Sequence, residues 1–206
     1  ALFPSLENRW EQRIMLTGER FSGKKGYAGY STPGELMGST LLAYPHDAVI
    51  LEYAKGIINS CKRQRIRYVE IRMSPTKYRK SIPQQVTFVK EFVFSMNNLL
   101  ASMEGRLEYR VLISADRAVF NDSQTSKSFF DNFHLLMQKL RQDTATRSAV
   151  VGYDIAGREV DDDIPGEISK KLIDMNLQLD LNSTFHAGEQ ADSSNLRSAY
   201  QIHTNS

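Results

Sequence analysis

Residues 149–159 of this 206-residue chain have the sequence AVVGYDIAGRE. Its first seven residues are rich in β-branched and aromatic side chains, which favour a strand. Polar and glycine residues follow at once, namely Asp154, Gly157 and Glu159. Enzymes with parallel sheets often build their sites from residues at the carboxyl ends of the strands. The stretch therefore predicts a strand of a parallel sheet with candidate functional residues at its end.

Helices and strands alternate on both sides of this stretch. Apolar residues at helical spacing predict helices over residues 47–60, 83–100, 122–140 and 164–175. Further strands are predicted over residues 67–73, 109–114 and 177–185. This order, with short connections, predicts parallel βα units under covering helices.

Two architectures fit that order: an open doubly wound sheet, or a segment of a (β/α)8 barrel. The Gly-x-Gly-x-x-Gly turn of a dinucleotide-binding sheet does not follow Met73. Polar residues instead follow several strands, as in barrel enzymes. They are Arg72, Ser74, Asp116, Arg117, Asp154, Glu159, His186 and Glu189. We therefore expect an α/β fold, a partial (β/α)8 TIM barrel with about four βα units.

The composition narrows the class of protein. A single cysteine, Cys61, excludes an internal disulfide framework, so a cytoplasmic location is expected. No apolar run is long enough to span a bilayer, so no membrane partner is expected. Two short basic runs, at residues 62–67 and 77–80, are compatible with nucleic acid. The net charge of +2 favours solvated flanks of strands and helices for them instead.

The amino-terminal residues differ in composition from the rest. Residues 1–44 contain many glycines mixed with Ser, Thr and Pro, which predicts a glycine-rich loop or lid. Residues 45–206 are predicted to form the barrel domain. The glycines and lysines between Gly18 and Gly29 do not match the phosphate-binding pattern Gly-x-x-x-x-Gly-Lys-Ser/Thr.

The last predicted strand leads into His186-Ala187-Gly188-Glu189. A histidine can bind a catalytic zinc ion, and a glutamate beside it can carry a proton to a substrate. The alternative is a histidine satisfied by backbone hydrogen bonds and a glutamate on the surface. From spacing alone the structural alternative is favoured.

Four segments in order change that weighting: YVEIRMSP at residues 68–75, VLIS at 111–114, VVGYDIAGRE at 150–159 and FHAGE at 185–189. Together they resemble successive strands of the adenosine deaminase family, over roughly residues 45–200. The last two segments are the specific ones. Members of that family are zinc-dependent (β/α)8 hydrolases that replace the 6-amino group of a purine with oxygen and release ammonia.

The resemblance implies roles for individual residues. It makes His186 a zinc ligand and Glu189 the acid that protonates the purine ring nitrogen beside the attacked carbon. Gly157 would offer its backbone to the far ring nitrogen of the purine, where a side chain would obstruct the approach. Asp154 would lie in the substrate-binding part of the site, where it shapes and hydrogen-bonds the strand end. Arg158 departs from the family pattern and suggests a substrate that bears phosphate.

Other departures concern the metal ligands. The family's first strand carries a His-x-His pair, and the histidines here are His46, His134, His186 and His203. The family's later ligands would lie beyond Ser206. We expect His46 and His134 to have ordinary helical roles. The sequence is therefore expected to be the strand-two-to-five portion of a longer deaminase; the alternative is a degenerate relative without chemistry.

These inferences lead to one expected function and two alternatives. We expect zinc-dependent hydrolytic deamination of adenosine or an adenine nucleotide, including ATP to ITP in antiviral defence. A homo-oligomer or larger assembly is expected. The first alternative is a non-catalytic barrel subunit that binds nucleotides or serves as an assembly scaffold. The second is another metal hydrolase on the same barrel. Zinc deaminases of the cytidine type are disfavoured because they need a Pro-Cys-x-x-Cys element.

Overall fold

The computed structural model describes residues 46–103, 107–121, 126–157, 166–187 and 200, all within one compact unit, His46–Ser206. Its helices are α1 (His46–Arg63), α2 (Pro75–Tyr78), α3 (Ile82–Ala101), α4 (Ala118–Asn121), α5 (Ser126–Gln142) and α6 (Gly166–Leu179). Its strands are β1 (Tyr68–Met73), β2 (Glu108–Asp116), β3 (Val150–Ala156) and β4 (Asn182–Phe185). In this part of the chain, no helix has the length and apolar character of a membrane span.

The four strands form one parallel sheet in the order β1-β2-β3-β4. Each crossover therefore moves one strand further in the same direction, and neighbours in sequence are neighbours in space. The expected α/β class and parallel pairing are confirmed. One irregularity occurs between Val111 and Leu112, where β2 meets β3. There, a side chain at Gly152 would collide with the backbone carbonyl of Asn182 in β4.

Helices cover one face of the sheet, and the helices α1, α3, α5 and α6 pack side by side in chain order. Alternation in β1 shows which face is covered: Ile71 and Met73 are buried, whereas Arg72 between them is exposed. Tyr109 of β2 donates a hydrogen bond from its hydroxyl to Asn97 Oδ1 of α3 at 2.8 Å. Tyr153 of β3 packs edge-on against Phe133 of α5. The core therefore lies between the sheet and the helices.

Helix α3 illustrates how the sequence specifies an element. Ser81 is its N-cap and Pro83 lies in its first turn. The backbone N–H of Ser81 donates to Gln84 Oε1 at 3.3 Å, as in a capping box. Behind these residues runs a stripe of apolar side chains that the sheet and neighbouring helices bury. It consists of Phe88, Val89, Phe92, Val93 and Met96.

The prediction of a strand over residues 177–185 is wrong in its first half. Helix α6 continues to Leu179, and β4 begins only at Asn182. Leucine and glutamine are good helix formers, and Leu179 still packs against the core from the helix. Asp180 then adopts a positive φ of 52°, which ends the helix and turns the chain into the sheet.

Other element boundaries also differ from the prediction. The short helix α2 follows β1 directly, with Pro75 in its first turn, and the short helix α4 follows β2. Neither was predicted, because four residues are too few to show a helical period. The predicted lid, residues 1–44, lies outside the described residues, so the division into lid and barrel domain stays a prediction.

Candidate functional site

The carboxylate of Asp154 lies at the centre of a polar cluster on the sheet face opposite the helices. Asp154 is in register with Ser114 of β2 and Thr184 of β4. Side chains of residues in register on parallel strands point to the same face of the sheet. Three neighbouring strands therefore bring their polar side chains together near their carboxyl ends.

Each of these side chains contacts the carboxylate directly. Thr184 Oγ1 donates to Asp154 Oδ1 at 2.8 Å, and Ser114 Oγ donates to Asp154 Oδ2 at 3.3 Å. Arg72 Nε of β1 lies 3.6 Å from Oδ2. His186, directly after β4, places its Nδ1 3.1 Å from Oδ1. These five residues are called the Asp154 cluster below.

The carboxylate side chain of Asp154 is only 1% exposed. A buried charge is costly unless it is paired and hydrogen-bonded. Here both oxygens have partners, and these partners come from the ends of all four strands. The Asp154 cluster therefore compensates the charge and joins the strand ends at one point.

The imidazole of His186 is held in a defined orientation. Its backbone N–H donates to the Ile155 carbonyl at 3.0 Å, which extends the pairing of β4 with β3. Its carbonyl accepts a hydrogen bond from Arg117 Nη2. Because an ionised carboxylate can only accept, Nδ1 must carry the proton that faces Asp154. In the neutral ring the lone pair then lies on Nε2.

Nε2 of His186 is available for a further contact. The side chain is 35% exposed, and no hydrogen-bond partner of Nε2 occurs among the described residues. A carboxylate on one ring nitrogen is the usual support of a histidine that binds a metal through the other. The same arrangement serves a histidine that accepts a proton. The geometry thus presents one nitrogen with a free lone pair at the strand ends.

A second set of contacts surrounds Gly157, just after β3. The backbone N–H of Arg117 donates to the Ala156 carbonyl at 2.7 Å, which ties the end of β2 to the end of β3. Lys77 Nζ of α2 lies 4.0 Å from Asp116 Oδ2. The Asp116 carboxylate packs against the α-carbon of Gly157.

Glycine at position 157 has a structural explanation. Its φ is +102°, a region that residues with a side chain rarely adopt. An added Cβ would also collide with the Asp116 carboxylate oxygen. The close approach that requires glycine is therefore made by a side chain of this protein. The prediction that the backbone of Gly157 faces a purine stays a prediction.

The other predicted site residues divide into two groups. Gly188, Glu189, Arg158 and Glu159 lie outside the described residues. The ring of His134 in α5 lies 5.9 Å from that of Phe130, in agreement with an ordinary helical role.

A catalytic zinc ion needs about three protein ligands. Among the described residues, no group of three His, Cys, Asp or Glu side chains could hold a metal ion. His186 fits as one ligand, because Asp154 orients its ring. These residues alone do not complete a zinc site.

Ser114 and Thr184 were not identified as site residues from the sequence. Each is a small polar residue in a strand, and such residues are common at ordinary positions. Strand alternation could have indicated them, since Thr184 is two positions before His186 and Ser114 is two before Asp116. The parallel register shows that they converge on Asp154.

Comparison with known proteins gives no assignment. No protein-family model matches the chain, and a search of curated proteins finds no significant match. The functional argument therefore depends on the sequence motifs and on the geometry of the Asp154 cluster.

Proposed function

We propose that this chain is part of a (β/α)8 barrel hydrolase that deaminates adenosine or an adenine nucleotide at a zinc centre. One observation carries the proposal. The buried carboxylate of Asp154 accepts from His186 Nδ1 at 3.1 Å and leaves Nε2 with a free lone pair at the strand ends. The residues come from the two motifs, at 154–159 and 186–189, that resemble the adenosine deaminase family.

The strand order supports the barrel part of the proposal. An open doubly wound sheet reverses its strand order at a switch point, where ligands bind. The order β1-β2-β3-β4 contains no reversal among the described strands. Continuing it by further βα units would close a barrel. Its carboxyl-terminal face would then carry the Asp154 cluster, as in barrel enzymes generally.

The residues of the chain would divide the work as follows. Asp154 holds the ring of His186 and fixes the proton on Nδ1, and Arg72 balances the charge of that carboxylate. Nε2 of His186 is then one zinc ligand. Bound zinc would supply a Lewis acid that lowers the pKa of water towards neutrality. Glu189, three residues after His186, would carry a proton to the purine ring. The other ligands would come from outside the described residues.

A deamination assay tests this proposal. The zinc-loaded protein is incubated with adenosine and with ATP, and ammonia and the inosine product are quantified together with bound zinc. We expect turnover of at least one of them. Glu189→Gln should retain zinc and lose turnover, whereas Glu167→Gln, at an exposed position of α6, should retain both. Absence of both zinc and product from the wild-type protein contradicts the proposal.

A non-catalytic barrel subunit is the second candidate. It is favoured by the internal satisfaction of Asp154, whose partners alone explain a cluster that joins four strand ends. This candidate predicts that adenine nucleotides bind without turnover. It also predicts that Glu189→Gln leaves nucleotide affinity unchanged. Ammonia release by the wild-type protein that Glu189→Gln abolishes contradicts it.

A further inference from the structure

A cavity of about 420 Å³ lies between the segment that follows β1 and the first turns of α5. Its volume is within the range of small-molecule sites, about 300–1,000 Å³. Its wall includes Thr76, Arg79, Lys80, Gln85, Asn132 and Phe133. It shares no residue with the Asp154 cluster and makes no use of the proposed deaminase chemistry.

The amide of Gln85 provides the first argument for a ligand. Gln85 is 5% exposed, and its Nε2 donates to the Arg79 carbonyl at 3.0 Å. That bond fixes the orientation of the amide, because the reverse orientation would place two oxygens against each other. Gln85 Oε1 has no hydrogen-bond partner among the described residues. A buried acceptor on a cavity wall calls for a donor from whatever occupies the cavity.

The charge around the cavity provides the second argument. The guanidinium of Arg79 is buried and lies 5.0 Å above the ring of Phe88. Burial lowers the pKa of this guanidinium below its ordinary value, and the charge of Glu91 partly offsets the effect. Lys80 adds a second cation at the exposed rim, and none of the described lining residues is acidic.

The start of α3 and the far wall complete the recognition elements. Helix α3 has twenty residues and begins at Ile82, which also lines the cavity. The amino-terminal end of a helix attracts anions. Thr76 adds a hydroxyl, and Phe129 and Phe133 of α5 add an aromatic wall. Phosphate groups are commonly recognised by such a combination of cations, hydroxyls and a helix start.

We propose that this cavity binds a small phosphorylated molecule that also carries a ring N–H group. The phosphate lies between Lys80 and the start of α3, near Arg79. The ring N–H donates to Gln85 Oε1, and the ring packs against Phe133. The cavity is thus a second ligand site, separate from the strand-end site.

Calorimetric titration of the full chain tests the proposal. Uridine 5′-monophosphate is the probe, because its ring carries an N3–H donor and no amino group that a deaminase could remove. Uridine and inorganic phosphate are the matched halves. We expect the monophosphate to bind more tightly than either half. Its N3-methyl derivative, which lacks the donor, should bind about tenfold more weakly, as expected for loss of one hydrogen bond to a buried group.

Variants locate the binding. Lys80→Gln, at an exposed position, should weaken the monophosphate about tenfold and leave the affinity for uridine unchanged. Lys170→Gln, on the exposed side of α6, is the matched control and should bind like the wild type. Gln85→Leu should abolish the difference between the monophosphate and its N3-methyl derivative. Equal affinity of wild type and Lys80→Gln, or no binding at millimolar concentration, overturns the proposal.

Discussion

Replacing Asp154 by asparagine tests whether the Asp154 cluster stabilises the fold. The amide keeps one acceptor oxygen but loses the negative charge. It also places an NH2 group where the carboxylate accepts from its neighbours. Thr184 at 2.8 Å and His186 at 3.1 Å share Oδ1, so at least one of these bonds must be lost or reversed. A hydrogen bond to a charged group contributes about 1.5–3 kcal/mol.

Two effects reduce that figure. The asparagine no longer has to bury a charge, and Arg72, whose side chain is 49% exposed, can be solvated when its partner is gone. The expected loss in free energy of unfolding is therefore about 2 kcal/mol, the lower part of the range for a charged hydrogen bond. Urea unfolding followed by circular dichroism measures it.

Asp180→Asn is the matched control, because this carboxylate is fully exposed and asparagine tolerates the positive φ at this position. It should leave the unfolding midpoint nearly unchanged. A midpoint for Asp154→Asn as close to the wild type as that of Asp180→Asn would refute the reasoning about the Asp154 cluster.

The remaining predictions concern glycine and pH. Gly157→Ala should lower the free energy of unfolding by about 2 kcal/mol, because φ is +102° and the new Cβ meets the Asp116 carboxylate. Gly56→Ala in α1, with open space around it, should raise it by about 0.5–1 kcal/mol; equal effects in urea unfolding would contradict both. The hydrogen bond from Lys90, at 2.7 Å, lowers the pKa of Asp143 below 3.8. The wild type should therefore exceed Asp143→Asn in stability by up to about 1 kcal/mol above pH 5, and the difference should vanish as acid protonates Asp143. A difference that persists at pH 2 would contradict this assignment.

The order of helices and strands was predictable because it depends on short-range patterns. Alternating burial in β1 and the apolar stripe of α3 are visible in the sequence alone. The boundary between α6 and β4 was not, since the leucines at 177 and 179 fit a strand as well as a helix. Packing of Leu179 against the core decides for the helix.

The site was predictable only in part, for a related reason. His186 and Asp154 belong to motifs, so their type and order suggested a shared site. Ser114 and Thr184 contribute through the register between strands, which depends on long-range pairing. The reason for glycine at 157 was also hidden, because the side chain that approaches it belongs to Asp116, forty-one residues earlier.

The central structural claim is that Asp154 fixes the proton of His186 on Nδ1 and leaves the lone pair on Nε2. The ¹⁵N chemical shifts of the two ring nitrogens in the metal-free protein, at a pH where the ring is neutral, test this directly. The account predicts a protonated Nδ1 and an unprotonated Nε2 in the wild type, with the proton moved to Nε2 in Asp154→Asn. A wild-type ring that carries its proton on Nε2 would contradict the account.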